Sequence, residues 1–181
     1  MRLISVIIGS TREGRFSEKS ARWIYTHLQS QPGIQSQLLD LRDHPLPFFD
    51  QPIHPSAPGR APYKLPVVGR WTAEIARSDG FIIATPEYNH GVPAVLKNAL
   101  DWVYGEWSRK PVGFVSHGSA SGARSVEHLR GIVIALQMMP IRAAVQIPIE
   151  ALRAHFQGGD VSAALAKVDD QARAMIGELL W

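Results

Sequence analysis

The chain has 181 residues, 45% of them hydrophobic, which is enough for one substantial core, and at this length a single domain over 1–181 is the expectation. Its 19 Lys and Arg against 16 Asp and Glu leave a formal charge of +3, and the cations are scattered rather than gathered into a stripe, which argues against a nucleic-acid partner and leaves anionic small molecules open. The absence of cysteine excludes disulfides, thiolate metal sites and thiol nucleophiles, and without a signal-peptide pattern or an apolar run near the roughly 18 residues that span a bilayer, a cytoplasmic protein away from membranes is expected.

Residues 3–8 form a mostly β-branched run, apolar but for Ser5, of the kind found in a strand covered on both faces, and the run stops at Gly9. After the loop 10–16, Ala21, Ile24 and Leu28 recur at helical spacing, with Ser17 where an N-cap would stand. Residues 34–41 read as a second, weaker strand. Between Asp43 and Pro66 lie seven of the 13 prolines, too many for a regular element, so this stretch is an ordered excursion or a mobile flap able to cover a site. A helix is predicted over 67–77 and a strand over 81–84. Val92, Val95, Leu96, Ala99, Trp102 and Val103 then mark one face of a helix. A strand over 111–116, a helix over 125–138, a strand over 143–147 and a closing helix over 162–180 complete the pattern, with no internal repeat.

Strands alternating with helices need crossover connections, and so predict an α/β fold with an open parallel sheet covered on both faces. Five strands suit the flavodoxin-like order 2-1-3-4-5, in which the binding site forms at the carboxyl ends of strands one, three and four. Three polar, glycine-bearing loops follow those strands: 10–17, 85–91 and 116–122.

In the first loop, G-S-T-R-E-G-R-F-S, the hydroxyls of Ser10, Thr11 and Ser17, the cations Arg12 and Arg15 and the amides of a helix N-terminus suit a phosphate dianion. The spacing from Gly9 to Gly14 begins like a P-loop, but Arg15-Phe16 stands where Lys-Ser or Lys-Thr is needed, and no G-x-G-x-x-G follows the strand. In the middle loop, Pro86, Gly91 and Pro93 keep the chain out of regular conformations, so backbone groups are open to read the edge of a flat ring. The third loop is no hydrolase elbow, since Ala120 stands where G-x-S-x-G needs serine, and no metal-ligand spacing occurs anywhere.

These three segments, G-S-T-R-E-G-R-F-S-E-K, T-P-E-Y-N-H-G-V-P-A-V-L-K-N-A-L-D-W and S-H-G-S-A-S-G-A-R-S-V-E-H-L-R, resemble the NADPH-dependent FMN reductase family, which includes quinone, azo-dye and chromate reductases. The resemblance implies FMN as cofactor and NADPH, or NADH, as co-substrate. It places Ser10, Arg12, Arg15, Phe16 and Ser17 around the FMN phosphate, Pro86, Glu87, Tyr88 and Asn89 along the ring edge and ribityl chain, and Ser116, His117, Gly118 and Ser119 at the pyrimidine side. One departure is Ala123, where family members often carry a second glycine before Arg124, so the backbone approach to the ring edge is expected to differ.

The implied reaction is ping-pong: NADPH gives up hydride and leaves, then a quinone, a second flavin, an azo compound or a metal oxyanion takes two electrons at the same face. Flavin needs no protein proton donor, so no residue, His90 and His117 included, is assigned a catalytic role. Arg12, Arg15 and Arg124 are the candidates for attracting the phosphorylated nicotinamide. The rival readings are a flavodoxin-type electron carrier, a class resembling strongly acidic proteins, and a flavin-binding regulatory protein without turnover. Trp102, Tyr104 and Trp107 offer more aromatic surface than one helix usually hides, and with the resemblance they point to a homodimer or homotetramer.

Overall fold

The computed structural model describes residues 1–58 and 63–181. Five strands, β1 (Arg2–Ile8), β2 (Ile34–Asp40), β3 (Gly80–Pro86), β4 (Pro111–His117) and β5 (Met139–Gln146), form one sheet in the order β2-β1-β3-β4-β5 with every pairing parallel. The flavodoxin-like architecture expected from the alternation is therefore the one observed. Helices α1 (Phe16–Gln29), α2 (Pro66–Arg77), α3 (Ala94–Asp101), α4 (Ala123–Ala135), α5 (Ile149–Phe156), α6 (Ser162–Ala166) and α7 (Asp169–Leu180) cover the two faces.

Alternation along the central strands splits the core in two. In β3, Phe81 and Ile83 point into a layer with α2, α3 and α4, whereas Ile82 and Ala84 point into the layer with α1 and α5 to α7. All seven residues of β3 are buried, which is why its sequence is apolar but for Thr85, whose hydroxyl donates to the Pro86 carbonyl at 2.9 Å. The first layer is built on Trp71, Trp102 and Trp107, each fully buried with its indole N–H donated to a backbone carbonyl: Ala99 at 2.8 Å, Pro47 at 2.7 Å and Leu100 at 3.3 Å. Trp102 and Trp107 thus fill the core and present no surface to a partner; Tyr104 alone of the three stays half-buried. The helix that was to carry them ends at Asp101, and Trp107 sits in a separate 3-10 turn, Gly105–Trp107.

The proline-rich stretch is an ordered excursion over α3 in its described part. Asn98 of α3 accepts from the Phe49 N–H at 2.9 Å and donates to the Pro47 carbonyl at 2.8 Å, and Leu46 and Phe49 pack on the core. Residues 59–62 of that stretch lie outside the described residues. Three further expectations are corrected. The first helix starts at Phe16 with Arg15 at its N-cap, so Ser17 lies in the first turn rather than capping it. The closing helix is broken around Lys167 and Val168 into α6 and α7. Helix α5, absent from the sequence reading, follows β5.

Candidate active site

The loops after β1, β3 and β4 meet at the carboxyl edge of the sheet, where the strand order reverses, and close on one cleft of about 210 Å³. Its walls are Arg12, Arg15, Phe16 and Ser17 from the first loop and α1, Pro86, Glu87 and Tyr88 from the second, His117, Gly118 and Ser119 from the third, and Leu152 and Phe156 from α5.

The first loop leaves the sheet at Gly9, whose N–H donates to the Ala84 carbonyl at 2.8 Å, and a Cβ there would lie 2.9 Å from the same oxygen. The two arginines of this loop do different things. Arg15 is buried; it donates to the Ser10 carbonyl at 2.6 Å and forks onto both carboxylate oxygens of Asp40 at the end of β2, with Oδ1 at 2.8 Å. Its role is to hold the loop against the sheet. Arg12 is exposed and has no carboxylate partner among the described residues. Its guanidinium lies over two rings, 5.9 Å from the centroid of Tyr88 and 5.4 Å from that of Phe156.

The second loop is a tight turn. Tyr88 and Gly91 exchange backbone bonds of 3.1 and 2.9 Å, and Asn89 and His90 between them adopt φ of 49° and 66°. Two successive positive φ values are the mark of a type I′ turn, which Asn tolerates. Asn89 therefore sits exposed at the turn's tip, outside the cleft lining. Tyr88 leans back, with its Oη 2.8 Å from Ser10 Oγ. The side chain of Glu87 is buried and engaged by Arg124, whose guanidinium pairs with Oε1 and whose backbone N–H donates to Oε2 at 3.1 Å. Arg124 is thus not a free cation.

The third loop is stitched to the second by the Glu87 N–H, which donates to the His117 carbonyl at 2.9 Å. Gly122 begins α4 with φ 78°, and a Cβ on it would lie 2.7 Å from the His117 nitrogen, so only glycine fits. Ala123 occupies the first helical position, which any residue can take, so the missing second glycine leaves no distortion in the helix. Ser116 is buried beneath the loop, donating to the Ser121 carbonyl at 2.8 Å. His117 packs edge-on against Phe16, with its Nε2 3.4 Å from Ser17 Oγ and its Nδ1 buried without a partner. Burial first, then the positive charge of His155 and Arg12, pushes its pKa from 6.5 down to about 3, so it is a neutral imidazole at pH 7.

Of the predicted residues, Ser10, Ser116 and Asn89 fall outside the lining: the first two lie under it and the third beyond it. Leu152 and Phe156 were missed, as was Asp40, on which the Arg15 position depends. The cleft offers the Arg12 cation, the Ser17 hydroxyl with the neutral His117 imidazole beside it, and backbone groups of the second and third loops, a donor set for a phosphorylated ligand with a polar edge. Its enclosed volume is below the roughly 300–1,000 Å³ of sites that engulf a drug-sized ligand, so a larger occupant leaves one face open. Among the described residues there is no group of three or more His, Asp or Glu that could hold a metal, and no helix long and apolar enough to cross a membrane.

A doubly wound sheet of this order with its cleft at the switch point defines a flavodoxin-like protein. The solved flavoenzyme NAD(P)H:(acceptor) oxidoreductase of Paracoccus denitrificans matches with a TM-score of 0.70 at 24% identity, covering 99% of this chain and 97% of that one. The family model for NADPH-dependent FMN reductase matches residues 2–151. A NAD(P)H-dependent FMN reductase of Nectria is 32% identical over 91% of this chain and 81% of its own length, and one from Schizosaccharomyces pombe is 36% identical over 80% and 73%. The chain belongs to the NADPH-dependent FMN reductase family, an oxidoreductase family of FMN and NAD(P)H.

Proposed function

We propose that this chain, as a single FMN-binding domain over 1–181, takes hydride from NADPH or NADH and reduces a small acceptor, both substrates using the open face of the cleft in turn. The observation that carries the reading is the convergence of three separate loops on one cleft whose polar capacity is unspent. Arg12 has no acid partner among the described residues, and two buried nitrogens bordering the cleft, Arg15 Nε and His117 Nδ1, have no hydrogen-bond partner. Orphaned buried donors and acceptors beside a cleft are what a bound polar ligand satisfies, and this set fits a phosphorylated flavin.

In this reading Arg12, with the hydroxyls of Ser10 and Ser17 and the first amides of α1, holds the phosphate, while Arg15 and Phe16 shape the loop beneath it. Backbone groups of Pro86, Glu87 and Tyr88 meet the ring edge and ribityl chain, Asn89 closes the turn beside them, and Ser116, His117, Gly118 and Ser119 meet the pyrimidine side. Bound FMN supplies the hydride and electron chemistry. The chain's own contribution is to fix the tail, to present backbone dipoles rather than charge to the ring, and to leave one face uncovered for a donor and an acceptor.

An Arabidopsis relative, 34% identical over 75% of this chain, is an NADPH:quinone oxidoreductase, which supports a quinone as one acceptor. A second flavin, an azo compound or a metal oxyanion remains within the same class. Cytoplasmic location and assembly into a homodimer or homotetramer belong to the proposal too; exposed Ile134 and Met139, near the junction of α4 and β5, are apolar surface that association would cover. The test is the absorbance of purified protein before and after anaerobic NADPH, followed by steady-state rates with a quinone. Flavin bands that bleach, with parallel double-reciprocal lines, are the expected outcome. A protein that takes up no FMN refutes the reading, and one that stays oxidised with both NADPH and NADH is a flavin binder without turnover.

A further inference from the structure

Helix α5 ends in a residue its own packing does not explain. Phe156 is 59% exposed, it belongs to neither core layer, and Ala151 is the one buried side chain of the helix. Its ring contacts are with neighbouring His155, 5.0 Å away, and with the guanidinium of Arg12. The helix is moored to the first loop: His155 Nε2 is 2.8 Å from the Gly14 carbonyl, and Leu152 lines the cleft. Residues 152–156 also lie beyond the stretch that the family model matches.

We propose that the end of α5 is the fourth wall of the cofactor cleft and that Phe156 is a positioning residue, pinning the Arg12 guanidinium against Tyr88 so that it is preset for the phosphate end of FMN. The proposal rests on the FMN reading given above. A cation held over a ring face within about 6 Å is attracted by the ring quadrupole, which draws on no N–H acceptor and so leaves the guanidinium donors available to a phosphate. An exposed arginine otherwise loses side-chain freedom when it binds, and holding it over two rings in advance removes part of that cost. Tyr88 is itself braced by Ser10, so the two rings come from two anchored elements.

The experiment is a titration of the apoprotein by quenching of flavin fluorescence, with FMN and with riboflavin as the phosphate-free probe, on wild type, Phe156→Leu, Phe156→Tyr and Arg12→Ala. Leucine keeps the apolar bulk and loses the ring face. FMN affinity is expected to fall about five- to tenfold in Phe156→Leu and to return in Phe156→Tyr, with riboflavin affinity unchanged in both. Adding Phe156→Leu to Arg12→Ala is expected to cost nothing more. Wild-type FMN affinity in Phe156→Leu, or equal losses for FMN and riboflavin, overturns the positioning role while leaving the cofactor assignment standing. A wild-type chain that quenches neither flavin overturns the cofactor assignment itself, and the role of Phe156 with it.

Discussion

Two of the hollows on this fold differ in kind, and the larger of the pair is not the one with the chemistry. The cavity beside α3 and α4, about 470 Å³, is lined by Phe49, Val103, Tyr104, Ile132 and Leu136, and its charges are spent on each other, Lys97 Nζ reaching Asp101 at 2.7 and 2.8 Å. The cleft at the carboxyl edge has less than half that volume and holds a neutral buried imidazole and, among the described residues, a cation without an acid partner and two orphaned nitrogens. Unsatisfied polar capacity, not emptiness, identifies a recognition site, because an apolar hollow costs only packing whereas unpaired buried polar groups cost desolvation that a ligand can return.

That contrast can be broken by substitution. The largest effect is expected at Arg15, whose removal strands the Asp40 carboxylate: Arg15→Met should lower unfolding stability by about 3 kcal/mol in a urea titration and abolish FMN binding by releasing the loop. Arg12→Ala, a few residues away, should leave the urea midpoint unchanged and weaken FMN by about 10- to 100-fold, the worth of hydrogen bonds to a charged group, as read by flavin fluorescence.

A smaller effect comes from His117. The unfolded chain takes up a proton near pH 6.5 that the folded chain refuses until about pH 3, so stability is full above pH 6.5 and is lost as pH falls through that window. The apoprotein should lose up to about 1.4 kcal/mol per pH unit there. Urea midpoints at pH 7 and pH 4.5 should show that part of the loss missing in His117→Asn. The smallest effect is expected across the sheet: Ala135→Leu, filling the apolar hollow from an exposed helix position, should change stability by no more than about 0.5 kcal/mol and FMN affinity not at all. A cofactor loss in that variant would mean that the two hollows are coupled and the contrast between them false.

The sheet was legible because β1, β3 and β4 are buried on both faces and so carry largely apolar runs, and the loops that follow them were legible because each turns polar and glycine-bearing directly after such a run. What escaped reading depended on partners distant in sequence. Arg15 looked like a ligand cation because Asp40, 25 positions later, is what turns it inward. Trp102 and Trp107 looked like surface because the helix was read past Asp101, where the chain in fact leaves the helix and drives both rings into the core. Helix α5 was passed over because it spans only Ile149–Phe156, so Ile149, Leu152 and Phe156 repeat the helical spacing over just two turns. Phe156 could be given a part only once the fold had set it against Arg12.

The tie between Arg15 and Asp40 reaches from the first loop to the outermost strand. An edge strand has one neighbour, and its amides are among the first in a sheet to exchange with solvent. The loop proposed to grip the ligand's tail is therefore fastened to the margin where local opening is easiest, which couples fraying of β2 to loosening of the loop. Protection of the β2 amides would then report occupancy of a site they never touch.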